Sequence, residues 1–124
     1  MSQSISQKDM FSETRELLSQ WAKWVMAGGK TINILAAMMQ EPSKTPYWIT
    51  DDDALILDVA LARLKQKDKE TARVTISYFY HMENSTATAE YLRINRRRVV
   101  SLVDAGIAWV DAYLDDKVLN YRSH

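Results

Sequence analysis

Glycine and proline are the residues that break helices, and this chain of 124 residues holds three glycines and two prolines. Four of those five lie between positions 28 and 46. Elsewhere apolar residues recur at spacings of three and four, the period of an amphipathic helix. The fold class expected is all-α: a small helical bundle ending in a helix-turn-helix with a long recognition helix. No internal repeat or low-complexity segment competes with that reading.

The expected elements follow from local chemistry. Ser12 reads as the N-cap of a first helix, with Glu13 and Glu16 in its first turn to suit the dipole. Leu17, Leu18, Trp21, Trp24 and Val25 form its apolar stripe, and Gly28-Gly29 ends it. A short second helix is expected over residues 31–40, then a loop from Pro42 to Ile49. Thr50 and Asp53 read as a capping box opening a third helix, with Leu55, Ile56, Val59, Ala60 and Leu64 as its buried face. A fourth helix spans about 69–81. Its Val74, Ile76, Tyr78, Phe79 and Tyr80 suit a strand equally well, and helix is preferred because no partner strand is evident.

The domain organisation expected is a flexible N-terminus over 1–11, a bundle over 12–82, a helix-turn-helix over 83–117 packed on it as one compact domain, and a tail over 118–124. With 47% hydrophobic residues, four Trp and six Tyr, such a chain can bury a core without staples. There is no cysteine, so disulfides and thiolate chemistry are excluded. Two histidines, one of them the last residue, make a histidine metal site improbable. The opening MSQSISQKDMF has neither a basic n-region nor a long apolar run, and a soluble, cytoplasmic protein without membrane contact is expected.

Net charge is zero, yet it is unevenly spread. Residues 51–62 carry four Asp and no base, whereas residues 63–98 carry nine bases against four acids, a local +5. Such a block either concentrates positive potential on one face, which a phosphate backbone detects, or is a solvated mixed-charge surface. An enzyme would have to be built on Asp51, Asp52, Asp53 and Asp58. Consecutive helical residues diverge, capping and dipole roles account for the run, and no nucleophile–base pair or phosphate-binding glycine loop accompanies it. Catalysis, a cofactor, a metal and a small-molecule substrate are therefore not expected.

The stretch from Ser85 to Val103 carries the functional reading. Ser85 or Thr86 caps a short helix with Ala89 and Leu92 inward, Arg93-Ile94 make a turn with Ile94 inward, and Asn95 caps the next helix. Val99, Val103, Gly106 and Val110 form the buried side of that helix, with Leu102 and Ile107 flanking it. At 100° per residue, Arg97, Arg98 and Ser101 then project outward, with Arg96 at the helix start. Three arginines in a first turn oppose the helix dipole, which implies a role outside the fold. A helix entering the major groove reads bases from its N-terminal residues. Arg93, Asn95, Arg96, Arg97, Arg98 and Ser101 are therefore the expected contacts to double-stranded DNA, and Asp104 on the same face opposes phosphate. The competing reading is a surface helix with an accidental arginine cluster. Trp109 and Tyr113, farther along, read as core or interface.

Four pieces in order resemble the late-gene antitermination protein Q of lambdoid phages, in the group without a zinc finger. They are Trp21-Ala-Lys-Trp24, the run Asp51 to Asp58 leading into Ala62-Arg-Leu-Lys65, Tyr78-Phe-Tyr80, and the helix-turn-helix from Ser85 to Gly106. The resemblance covers about residues 15–115, and the last piece also resembles the sigma-factor region that reads the −35 promoter element. It departs at Thr88, where a bulky aliphatic is usual, and at Pro46-Tyr47-Trp48, where some relatives carry cysteines. The resemblance implies binding to DNA near a phage late promoter in the bacterial host cell. It further implies loading onto RNA polymerase holoenzyme with its sigma factor, and suppression of pausing and termination. The alternative is a plain helix-turn-helix activator or repressor.

Overall fold

A computed structural model describes residues 10–41 and 45–122. Among them are six α-helices and no strand: α1 (Ser12–Met26), α2 (Ile34–Ala37), α3 (Asp51–Lys67), α4 (Lys69–Tyr80), α5 (Ser85–Leu92) and α6 (Arg96–Leu114), followed by a 3₁₀ turn at Asn120–Arg122. The flexible segment expected over 1–11 lies outside the described residues up to position 9.

The ambiguous aromatic run is a helix, and its composition has a physical reason. α4 touches all five other helices. A helix surrounded in this way is apolar on most sides, so Ala72, Val74, Ile76 and Phe79 are buried together with Thr71, Thr75 and Ser77. Its closest neighbour is α6. A Cβ on Gly106 would sit 2.0 Å from Thr75 Oγ1, so only glycine permits that approach. Asp68 serves both helices that meet at it, ending α3 and capping α4 by accepting from the Thr71 amide at 3.1 Å. Those Thr71 hydrogen bonds hold the Asp68 carboxyl below the usual range.

Several local expectations are corrected. Phe11, not Ser12, occupies the N-cap of α1, without a side-chain cap. The glycine stop is where it was expected, with Gly28 at φ +105° and its amide returning to Val25 O. The second helix is only four residues long, because Thr31 to Asn33 are drawn into contacts with α3. On α3, the buried stripe is Ala54, Leu57, Ala60, Leu61 and Leu64 together with Asp53 and Asp58, and Leu55 is 41% exposed. Ile56 and Val59 are half-buried.

Two of the α3 acids meet the tryptophan pair of α1. Trp21 Nε1 donates to Asp58 Oδ1 at 2.9 Å, and Trp24 Nε1 donates to Asp51 Oδ1 at 2.9 Å. Residues three apart on one helix thus face residues two turns apart on the other. Asp58 is wholly buried and also accepts from Thr31 Oγ1 (2.5 Å), the Ile32 amide (2.7 Å) and Asn33 Nδ2 (3.1 Å).

Thr50 caps α3 as expected, taking the Asp53 amide at 3.1 Å. The reciprocal half of the capping box is absent, because the Asp53 carboxylate accepts instead from the amides of Asn120 (2.8 Å) and Tyr121 (2.9 Å). Residues 119–122, expected as part of a tail, are consequently docked. Leu119 is buried, Tyr121 stacks on Trp48 at 4.9 Å, and Arg122 bonds Glu13 and the Leu114 carbonyl. No described helix is long and apolar enough to cross a membrane.

Candidate nucleic-acid interface

The residues expected to touch DNA are brought together around one turn. α5 is capped by Asn84, whose Oδ1 accepts from the Ala87 amide at 2.9 Å, rather than by Ser85 or Thr86. Its buried residues are Thr88 and Ala89, while Leu92 is half-buried. Thr88, a polar residue at a wholly buried position, donates its hydroxyl to Asn84 O at 2.8 Å, and so tolerates burial.

The turn depends on a left-handed residue. Arg93 has φ 59° and ψ 46°, and the Ile94 amide returns to Ala89 O at 3.0 Å. Ile94 packs partly buried against the core. Asn95 is extended, and its Oδ1 takes the Arg97 amide at 2.7 Å, so the expected N-cap is present. α6 then runs 19 residues with Val99, Val103, Gly106, Ile107, Val110 and Leu114 inward.

With Val99 inward, the three arginines fan over about 200° of the helix surface at 100° per residue. Arg96 turns toward α5, where its Nε donates to Ser85 Oγ at 3.0 Å. Arg98 turns toward α4 and pairs with both carboxylate oxygens of Glu70, its Nε at 3.1 Å from Oε2. Between them Arg97 is exposed, and neither its guanidinium nor that of Arg93 meets an acid within salt-bridge distance among the described residues. Ser101 and Asp104 continue the exposed line below Arg97, with Val100 beside them at 39% exposure.

The electrostatics divide accordingly. The Arg98 guanidinium holds the Glu70 carboxyl below its usual range, and the carboxylate in turn raises Arg98. Three cations, Arg93, Arg96 and Arg97, are left to an incoming anion, and the fourth, Arg98, is paired with Glu70. Sequence reasoning missed Glu70, because a partner 28 residues away leaves no local signal. It also missed the Ser85–Arg96 bond that orders the α5 and α6 starts against each other. Farther along α6, Trp109 and Tyr113 are half-exposed and stacked at 5.8 Å, with Lys117 over the Tyr113 ring. Among the described residues no three His, Cys, Asp or Glu converge as metal ligands would.

A sequence model of the family described as phage antitermination protein Q matches residues 11–118. No curated protein and no solved structure matches the chain.

Proposed function

The chain belongs to the phage antitermination protein Q family, and from that premise we propose that it binds double-stranded DNA through α5 and α6 as a helix-turn-helix and then loads onto RNA polymerase holoenzyme. Arg97 and Ser101 enter the major groove, where an arginine can take a guanine edge in bidentate fashion. Arg93 and Arg96 hold flanking phosphates, and the positive end of α6 reinforces them. Once aboard, the protein makes the polymerase pass pauses and terminators.

The observation that carries the DNA half is the fan of arginines at a capped, exposed helix start, with Arg93 and Arg97 outside any salt bridge among the described residues. Three cations in a first turn contribute nothing to the helix they begin. Ser85 and Glu70 account for Arg96 and Arg98 within the fold, whereas exposed Arg97 is the cation that a phosphate or base edge would explain.

The test is transcription in vitro from a late-type promoter with a promoter-proximal pause and a downstream terminator, on a template from the phage or prophage that encodes the chain. Read-through that rises with the protein, requires the promoter-region DNA site, and disappears for an Arg96/Arg97/Arg98 triple alanine is the expected result. Altered initiation with unchanged read-through would leave a helix-turn-helix activator or repressor.

A further inference from the structure

Away from the arginine fan, α2 and α4 bound an open groove of about 210 Å³. Ile34, Leu35, Met38, Ala72 and Ile76 line it, and its surface is almost entirely apolar. Ile34 and Met38 are 70% and 77% exposed, and Ile32 beside them is 63% exposed. Three large apolar side chains within seven residues thus face solvent. Lys65, Lys69 and Arg73 rim the groove, and none of them forms a salt bridge among the described residues. No acid lines it.

We propose that this groove docks a short amphipathic helix of a protein partner, aliphatic along one face and carrying carboxylates along its flanks. The volume is below the ~300 Å³ at which small-molecule sites begin, and suits two or three inserted side chains. The lining has no aromatic ring, so it offers no platform on which nucleic-acid bases could stack. A second copy placed symmetrically would set Lys65, Lys69 and Arg73 against their own equivalents, which disfavours self-association there. Apolar anchors with acidic flanks satisfy both the floor and the rim. Lys69, Arg73 and Ile76 fall on one stripe of α4 (i, i+4, i+7), and Glu70, which holds Arg98, lies about a quarter-turn away. Groove and arginine fan are therefore separate faces, and both can be occupied together.

The experiment uses the isotope-labelled full chain and two 14-residue helical peptides that share leucines at i, i+4 and i+7. One carries glutamates on the flanks and the other lysines. The glutamate peptide is expected to bind about tenfold or more tightly than the lysine peptide, with amide shifts confined to residues 32–38 and 65–76. Met38→Asp and Lys69→Glu each reduce its binding at least about fivefold, and both positions are exposed, so the thermal midpoint stays put. Absence of binding, equal affinity for the two peptides, shifts centred elsewhere, or indifference to both substitutions overturns the proposal. So does a groove that prefers anionic lipid vesicles or oligo-dT to the glutamate peptide. DNA binding through α6 is measured alongside on Met38→Asp and is expected to be unchanged, so that failure of one reading is not mistaken for failure of the other.

Discussion

The indole of Trp21 donates to the carboxylate of Asp58 at 2.9 Å, and neither group reaches solvent. Asp58 is the point where α1, α3 and the loop after Gly29 are tied, since the same carboxylate accepts from Thr31, Ile32 and Asn33. Asp58→Ala leaves the Trp21 indole N–H buried without an acceptor and takes a partner from Thr31, Ile32 and Asn33, and it is expected to lower stability by about 3–5 kcal/mol. Asp58→Asn keeps the shape but turns an NH₂ toward donors, at a cost of about 1–3 kcal/mol. Urea unfolding of the two variants checks the order.

Gly106→Ala gains about 1 kcal/mol of helix propensity and still loses overall, because its Cβ meets Thr75 Oγ1 at 2.0 Å. Overpacking of this kind costs about 1–3 kcal/mol. Thr75 Oγ1 is buried without a hydrogen-bond partner, so Thr75→Ala removes the clash without breaking a bond. The double variant is expected to be more stable than Gly106→Ala alone, and a double-mutant cycle measures that coupling.

Glu70→Gln frees Arg98 and removes a negative charge beside the arginine fan. DNA affinity is expected to rise several-fold and the slope of log K against log salt to steepen by about one. Anisotropy titrations at three salt concentrations decide it. Unchanged affinity and slope would mean that Arg98 takes no part in binding.

Arg93 sits in the left-handed region at the end of α5, where glycine is the usual residue and a side chain costs about 1–2 kcal/mol. Arg93→Gly is therefore expected to hold or raise the thermal midpoint while weakening DNA binding several-fold. A drop in both would show that the side chain supports the turn instead.

Acid sensitivity should be traceable to the start of α4. The carboxyls of Glu70 and Asp68 are both held below their usual ranges in the folded protein, by Arg98 and by the Thr71 hydrogen bonds respectively. Their contribution is complete above the unfolded-state carboxylate values and fades as pH falls through the depressed folded values. Stability is thus expected to be flat with respect to these two groups at neutral pH and to fall only in acid. Glu70→Gln with Asp68→Asn should flatten that acid limb in thermal midpoints measured against pH.

Features set by neighbouring residues were legible in the sequence. The caps Thr50 and Asn95 each take an amide two or three residues on, and that chemistry is local. The buried face of α6 followed from period alone. What escaped was fixed from a distance. Asp53 looked like half of a capping box, but its carboxylate is held by amides 67 and 68 residues away. The buried face of α3 differs from the expected one because it omits Leu55 and includes Asp58, and hydropathy alone does not reveal that a tryptophan and a loop will satisfy an acid. Arg96, Arg97 and Arg98 open α6 behind the Asn95 cap, as local chemistry implied, whereas the partners that hold two of them, Ser85 and Glu70, are supplied by the fold.

The loop that leaves Gly29 has no helix or strand at residues 31–33, yet Asp58 holds it through a side-chain hydroxyl, a main-chain amide and an Asn side chain. That anchorage sets the start of α2 and, with it, the wall that presents Ile34. A visitor to the groove then meets a receptor whose shape exists beforehand, and the entropy of ordering falls on the visitor alone. Affinity should accordingly respond to stiffening the incoming helix and hardly at all to stiffening the protein.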